Sequence, residues 1–189
     1  TPQVLDAFIK TAMKSSAIPG LSIAIINDKQ VVYHRAFGVS HLGTKAAVDQ
    51  QTLFEAASLS KPIFAYFVMR LAEKGIVDLD KPLYQHLPHP AIDSASKAEY
   101  QRITPRMVLA HTTGFPNWSY GKKIKLAHAP GKGFTYSGEA YQYLAAAIGT
   151  QLKVGWQARL DSVFQEEVAK PLGLKNTFFT WNKYTAEHK

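Results

Sequence analysis

The chain has no cysteine. Disulfides, thiolate catalysis, cysteine-ligated zinc and iron–sulfur clusters are therefore excluded for these residues. No stretch of 18 consecutive apolar residues occurs, so no transmembrane helix is expected. The opening "TPQVLDAFIK" lacks Met and lacks the basic-then-apolar pattern of a signal peptide. A chain that begins after a processing site, or that has been trimmed, is the expectation. Acidic residues are few beside basic ones, 14 Asp and Glu against 22 Lys and Arg, for a net charge of +8. Such a balance suits nucleic acid, an anionic envelope or anionic substrates. The densest basic cluster, "GKKIK" at Gly121 to Lys125, is short, and the other cations are mixed with acids. No nucleic-acid partner is expected from that distribution. The sequence also lacks G-x-S-x-G, H-E-x-x-H and a phosphate-binding glycine loop. Those absences count against an α/β-hydrolase, a zinc protease and a P-loop enzyme.

What is present suits one globular domain over residues 1–189. Hydrophobic residues make 46% of the chain and aromatics 12%, enough for a sizeable core. Val4, Leu5, Phe8, Ile9, Ala12 and Met13 recur at helical spacing and predict an amphipathic helix over residues 2–16. "LSIAIIN" and "QVVYHRAFG", separated by Asp28-Lys29, read as a β-hairpin. After Ser58, a second helix places Phe64, Phe67, Val68 and Leu71 on one face and stops at Gly75. "ITPRMVLAHTTG" reads as a short helix with Thr104 as cap, Pro105 at the first position and Gly114 as stop. After Gly138, the residues Ala140, Tyr143, Leu144, Ala147, Ile148 and Leu152 define a buried helical face. A last helix is expected over about residues 157–170, and residues 177–182 are the one further candidate strand. The class is α+β, a helical region with an antiparallel sheet that looks incomplete, since a lone hairpin is marginal.

Three S-x-x-K spacings occur: Ser58–Lys61, Ser94–Lys97 and Ser119–Lys122. Spacing alone therefore selects none of them. Only Ser58 stands where a long apolar helix begins, in "EAASLSKPIFAYFVMRLAEKG". A helix N-terminus has unpaired N–H groups and partial positive charge, which would stabilise an alkoxide there. Lys61 lies three residues on, on the same face, with its side chain tilted back toward Ser58. That positive field and burial would disfavour the ammonium form of Lys61 and favour an amine able to help remove the serine proton. Two readings stand at this point. Ser58 is a nucleophile with its activating amine, or Ser58 or Ser60 caps the helix and Lys61 is solvated.

A second segment, "PGKGFTYSGEAYQYLAAAIG", sets Tyr136 just before another helix. A phenol near an ammonium ionises more easily and can act as a general base. Taken singly, Tyr136 reads equally as packing at a loop–helix junction.

Together these segments resemble the penicillin-recognising serine hydrolases, in particular the class C β-lactamase-like group with its esterases and D-amino-acid peptidases. Ser58-Leu59-Ser60-Lys61 matches the first motif, and Tyr136-Ser137-Gly138 the second, Y-x-N. "GLSIAIINDKQVVYHRAFG", "ITPRMVLAHTTGF" and "AKPLGLKNTFF" are also similar to the family, in its order and across the chain. The resemblance implies a β-lactamase/transpeptidase-like fold and acyl transfer through an acyl-enzyme on a small amide, ester, β-lactam or D-peptide. Ser58 would be the nucleophile, Lys61 its partner, Tyr136 the general base and the Ser58 backbone N–H an oxyanion donor. Ser137 and Gly138 would meet substrate. It implies no metal or organic cofactor, and export to the bacterial envelope. A penicillin-binding or sensor-type module with little turnover, or an inactive fragment, is the alternative.

Two features depart from the pattern. Gly138 stands where the β-lactamases of the group carry Asn. The third motif, K-T-G or H-x-G on a late strand, is missing, because His41-Leu42-Gly43 lies after the hairpin. The expectation is a chain that corresponds to the family's N-terminal portion, without its C-terminal strands and closing helix. An open sheet edge would then invite self-association or a complementing fragment. His86 and His89 have metal-like spacing, but Pro88 interrupts them and no third ligand is evident, so they read as loop residues. His111 in "HTTG" reads as ordering a turn.

Overall fold

In the computed structural model, which describes residues 1–155 and 158–188, the chain divides into two units. One is Thr1–Glu55 with Asn182–Lys189, the other Ala56–Trp181. In the first, α1 (Pro2–Ser15) precedes β1 (Gly20–Asn27) and β2 (Gln30–Gly38). The strands pair antiparallel, with Leu21 opposite Phe37 and Ile26 opposite Val31. Asp28 and Lys29 both take positive φ, 47° and 63°, the backbone that a two-residue hairpin turn of matching twist requires. Ile9, Met13, Tyr33 and Phe37 make the core of this unit. The Tyr33 hydroxyl donates to Asp6 Oδ1 at 2.5 Å. Helix α1 buries a narrower stripe than its periodicity suggests, because Val4 and Phe8 stand exposed. Near the end of the chain, a helix at Lys183–Glu187 opens with a capping box between Asn182 and Thr185. The Leu53 N–H donates to the His188 carbonyl in the same unit.

The second unit carries the larger core. Helix α2 (Ser60–Glu73) buries Phe64, Phe67, Val68 and Leu71, the face read from the sequence. Gly75 follows it with φ +68°. After an irregular stretch come α3 (Lys97–Tyr100) and α4 (Pro105–Leu109). Thr104 caps α4, its hydroxyl accepting the Met107 N–H at 3.4 Å. The helix stops earlier than Gly114. His111 takes φ +55° and turns the chain off the helix axis just past Ala110. Gly114 makes a separate turn, where a Cβ would lie 2.4 Å from the His128 carbonyl oxygen.

Helix α5 (Gly138–Gln151) buries Ala140, Tyr143, Leu144, Ala147 and Ile148. Helix α6 (Ala158–Phe164) runs straight into a π-helical turn at Gln165–Ala169. The expected helix over residues 157–170 thus forms in two windings, with residue 157 outside the described residues. Residues 177–182 do not form a strand. The Phe179 N–H donates to Asp161 Oδ1 at 2.7 Å. The Thr177 carbonyl accepts from Gln165 Nε2 at 2.9 Å. These backbone groups are spent on side chains, and the Phe179 ring packs on Phe164 with centroids 4.3 Å apart. Among the described residues the sheet has two strands.

Candidate active site

Ser58 lies in a 3-10 turn, Ala57–Leu59, that leads directly into α2. Ala57 takes φ +45°, a left-handed backbone uncommon outside glycine. The turn leaves Ser58 exposed. Neither serine caps the helix, since Leu59 is the N-cap residue without a side-chain bond and Ser60 is already helical. The capping alternative is thereby set aside. Lys61, on the first turn of α2, is half-buried and its Nζ donates to Ser58 Oγ at 3.1 Å. Burial of Phe64, about one turn on, and Phe67, nearly two turns on, fixes the rotation of α2 that aims Lys61 this way.

The other two S-x-x-K spacings make no such bond among the described residues. Ser94 starts a turn capped by Asp93, whose carboxylate accepts the Ala95 N–H. The Ser119 N–H donates to Glu139 Oε2 at 2.8 Å.

Tyr136 reaches the same place from the loop before α5. The Lys61 Nζ lies 4.8 Å from the centroid of the Tyr136 ring and 5.7 Å from that of Tyr141. Both distances suit a cation–π contact. Hydrogen bonding to Lys61, and secondarily to Ser58, holds the Tyr136 phenol below its ordinary pKa. The Tyr141 phenol is pushed up, first by burial and then by Tyr136. The two phenols nearest the amine are thus driven apart, with Tyr136 the more acidic.

Ser137 and Gly138 are placed differently from their expected role toward substrate. Ser137 is 0% exposed. Its hydroxyl donates to the Pro116 carbonyl at 2.7 Å and accepts the Ala140 N–H at 2.9 Å, which makes it the N-cap of α5. Gly138 is also buried, and its N–H donates to Asn117 Oδ1 at 3.0 Å. A Cβ there would lie 2.5 Å from the Trp118 ring. The segment 116–118 closes over the start of α5 and removes both residues from solvent.

The sequence marks His111 only as a turn residue. Its carbonyl accepts the Thr135 N–H at 2.8 Å, and its Nδ1 accepts the Ser137 N–H at 3.1 Å. Its ring lies 4.5 Å from Tyr136, centroid to centroid. Burial, and then the Lys61 charge, lower its pKa. The partners are some 25 residues apart in sequence, so no local pattern announces them.

His89 and His41 serve the fold. His89 Nδ1 accepts the Ala91 N–H at 3.2 Å, and its ring meets Tyr143 edge-on. His41 Nδ1 accepts the Thr44 N–H at 3.0 Å. Among the described residues, no group of three or more His, Asp and Glu is arranged to hold a metal ion.

The family described as Beta-lactamase matches residues 5–188. Protein flp of Staphylococcus aureus is 25% identical over a match 204 positions long, covering 98% of this chain and 40% of that protein. The D-alanyl-D-alanine-carboxypeptidase/endopeptidase AmpH of Escherichia coli is 25% identical, covering 94% of this chain and 49% of AmpH. Among solved structures, the octameric penicillin-binding protein homologue from Pyrococcus abyssi superposes with TM-score 0.78 at 23% identity. That match covers 99% of this chain and 46% of the homologue. The chain thus spans somewhat under half the length of these relatives. The superposition assigns the described residues to the β-lactamase/transpeptidase fold.

Proposed function

Since the chain belongs to the β-lactamase family of serine hydrolases, we propose that it acts as a serine acyl hydrolase with Ser58 as nucleophile. The observation that carries this reading is the bond from Lys61 Nζ to Ser58 Oγ at 3.1 Å, beside a phenol of lowered pKa. Ser58 Oγ attacks the substrate carbonyl carbon as its proton passes to the Tyr136 oxygen. The carbonyl electrons move onto oxygen, where the Ser58 backbone N–H is one donor. Collapse of that intermediate breaks the bond to the leaving group, which takes the proton from Tyr136. An acyl ester on Ser58 remains. Water then attacks the ester, gives its proton to Tyr136, and Ser58 recovers a proton as the acid departs. Lys61, bonded to Ser58 Oγ, favours the ionised phenol through its hydrogen bond and charge, so in this scheme Tyr136 takes the proton-accepting role that the sequence reading gives to the Lys61 amine.

The substrate class proposed is a small amide, ester or acyl-D-peptide. The D-peptide arm is supported by the activity in the name of AmpH.

The test is labelling with a fluorophosphonate, followed by peptide mapping. Adduct on Ser58 is expected, with none in Ser58→Ala. Tyr136→Phe should slow labelling by about 10²-fold or more, the usual worth of a general base. Label on another residue, or equal labelling of Ser58→Ala, would overturn the assignment. Release of product from an acyl-D-alanyl-D-alanine peptide separates turnover from acylation alone.

A further inference from the structure

His111 makes no contact to Ser58 among those described, yet it meets the Tyr136 segment from three directions. Its carbonyl oxygen takes the N–H of Thr135 on one side, and its Nδ1 takes the N–H of Ser137 on the other. Its ring covers the phenol ring at 4.5 Å with an interplanar angle of 32°. One residue thus anchors the backbone on both sides of Tyr136 and supports its ring. The backbone bond also fixes the tautomer. An N–H donates to Nδ1, so Nδ1 carries the lone pair and the proton sits on Nε2. His111 itself holds φ +55°, a left-handed conformation that persists in a non-glycine residue only where its surroundings over-determine it.

We propose that His111 is a positioning residue: with Nδ1 unprotonated it holds the Tyr136 phenol beside Lys61 and Ser58, and when charged it releases it. This rests on the reading of Tyr136 as the base. A proton on Nδ1 would face the Ser137 N–H donor to donor, and the bond would break. Among the described residues, the titratable groups facing the ring are Lys61 from α2, Tyr136 from the loop and Tyr141 from α5. The Lys61 ammonium opposes a second positive charge. Burial acts in the same direction. The neutral tautomer therefore persists below the ordinary histidine range, and the site opens only under acid conditions.

Two variants test this. His111→Asn retains an acceptor near the Nδ1 position, accepts a left-handed backbone and cannot titrate. His111→Ala removes the acceptor and the ring. The first readout is the Tyr136 titration, taken as the phenolate absorbance difference between each protein and its Tyr136→Phe counterpart. The second is the fluorophosphonate labelling rate at Ser58 across pH. His111→Ala is expected to move the Tyr136 titration up toward ordinary tyrosine and to slow labelling by about 10–100-fold, the cost of a misplaced group. His111→Asn is expected to rescue both and to lose the part of the acid decline that His111 titration causes. An unchanged Tyr136 titration in His111→Ala would overturn the proposal, as would a wild-type acid decline in His111→Asn. If His111→Ala does not fold, the acid decline of His111→Asn decides. If the titration moves while wild-type Ser58 takes no label, the positioning stands and the acyl-hydrolase reading falls.

Discussion

A single methyl group has no room at Gly138, where it would lie 2.5 Å from Trp118. The indole covers the Cα, and the Asn117 amide takes the N–H. Gly138→Ala should destabilise the Ala56–Trp181 unit by about 1–3 kcal/mol, the usual cost of overpacking. Trp118→Ala should relieve that cost, so the double variant should lose at least about 0.5 kcal/mol less than the two single losses combined. Urea midpoints at equal m-value measure this, and strict additivity would show that the indole is not the obstacle. The same contact gives a physical reason for the departure from Y-x-N noted in the sequence, since a side chain at 138 and the indole compete for one space. Ser58, Lys61 and Tyr136 could be singled out from residue type and helix position. The tasks of Ser137 and His111 could not, because the bonds to Pro116 and across to Ser137 join segments with no shared periodicity.

Between α6 and the segment that carries Phe179, a carboxyl group sits almost entirely out of water. Asp161 is 7% exposed, and burial raises its pKa more than the Phe179 N–H and Gln165 lower it. A carboxyl whose folded pKa exceeds its unfolded value contributes stability that is fully present below the unfolded pKa. That contribution is lost as pH rises through the folded pKa. Above the folded pKa the fold therefore carries a buried charge that it lacks in acid. Asp161→Asn keeps an oxygen for the Phe179 N–H and removes the charge. Its Tm should exceed wild type by about 2–4 °C at pH 7, for roughly 1 kcal/mol, and the gain should shrink toward pH 4. A gain independent of pH, or a loss at pH 7, would refute the account. This pairing explains why residues 177–182 read as a strand and are not one. Phe178, Phe179 and Thr180 have strand composition, but the Thr177 carbonyl is held by Gln165 and the Phe179 N–H by Asp161. Helices α2 and α5 were legible because their apolar spacing is intrinsic to the element.

Over the molecule, the readable part is what periodicity and turn chemistry encode, and the sheet shows where that ends. The hairpin, its two-residue turn and its α+β context follow from "INDKQV" and the runs beside it. Which neighbour covers each face does not. Ile26 is 68% exposed, Val31 62% and Val32 58%. Ile26 and Val31 are paired across the strands, so the turn end of the hairpin presents clustered β-branched side chains to solvent. Both outer edges of the two strands carry backbone without sheet partners among the described residues. Unpaired edges beside apolar residues favour pairing with another chain. The 189-residue chain should therefore self-associate with rising concentration in sedimentation velocity. A lysine placed there adds like-charge repulsion on a chain already at net +8 and is a known means of blunting an edge. Ile26→Lys with Val32→Lys should shift the distribution to monomer and raise the association midpoint about tenfold or more, equivalent to roughly 1.4 kcal/mol. Added salt should partly reverse that shift by screening the new charges. A wild-type chain that stays monomeric at all concentrations would refute association through this hairpin. Association that survives both lysines would place the contact elsewhere.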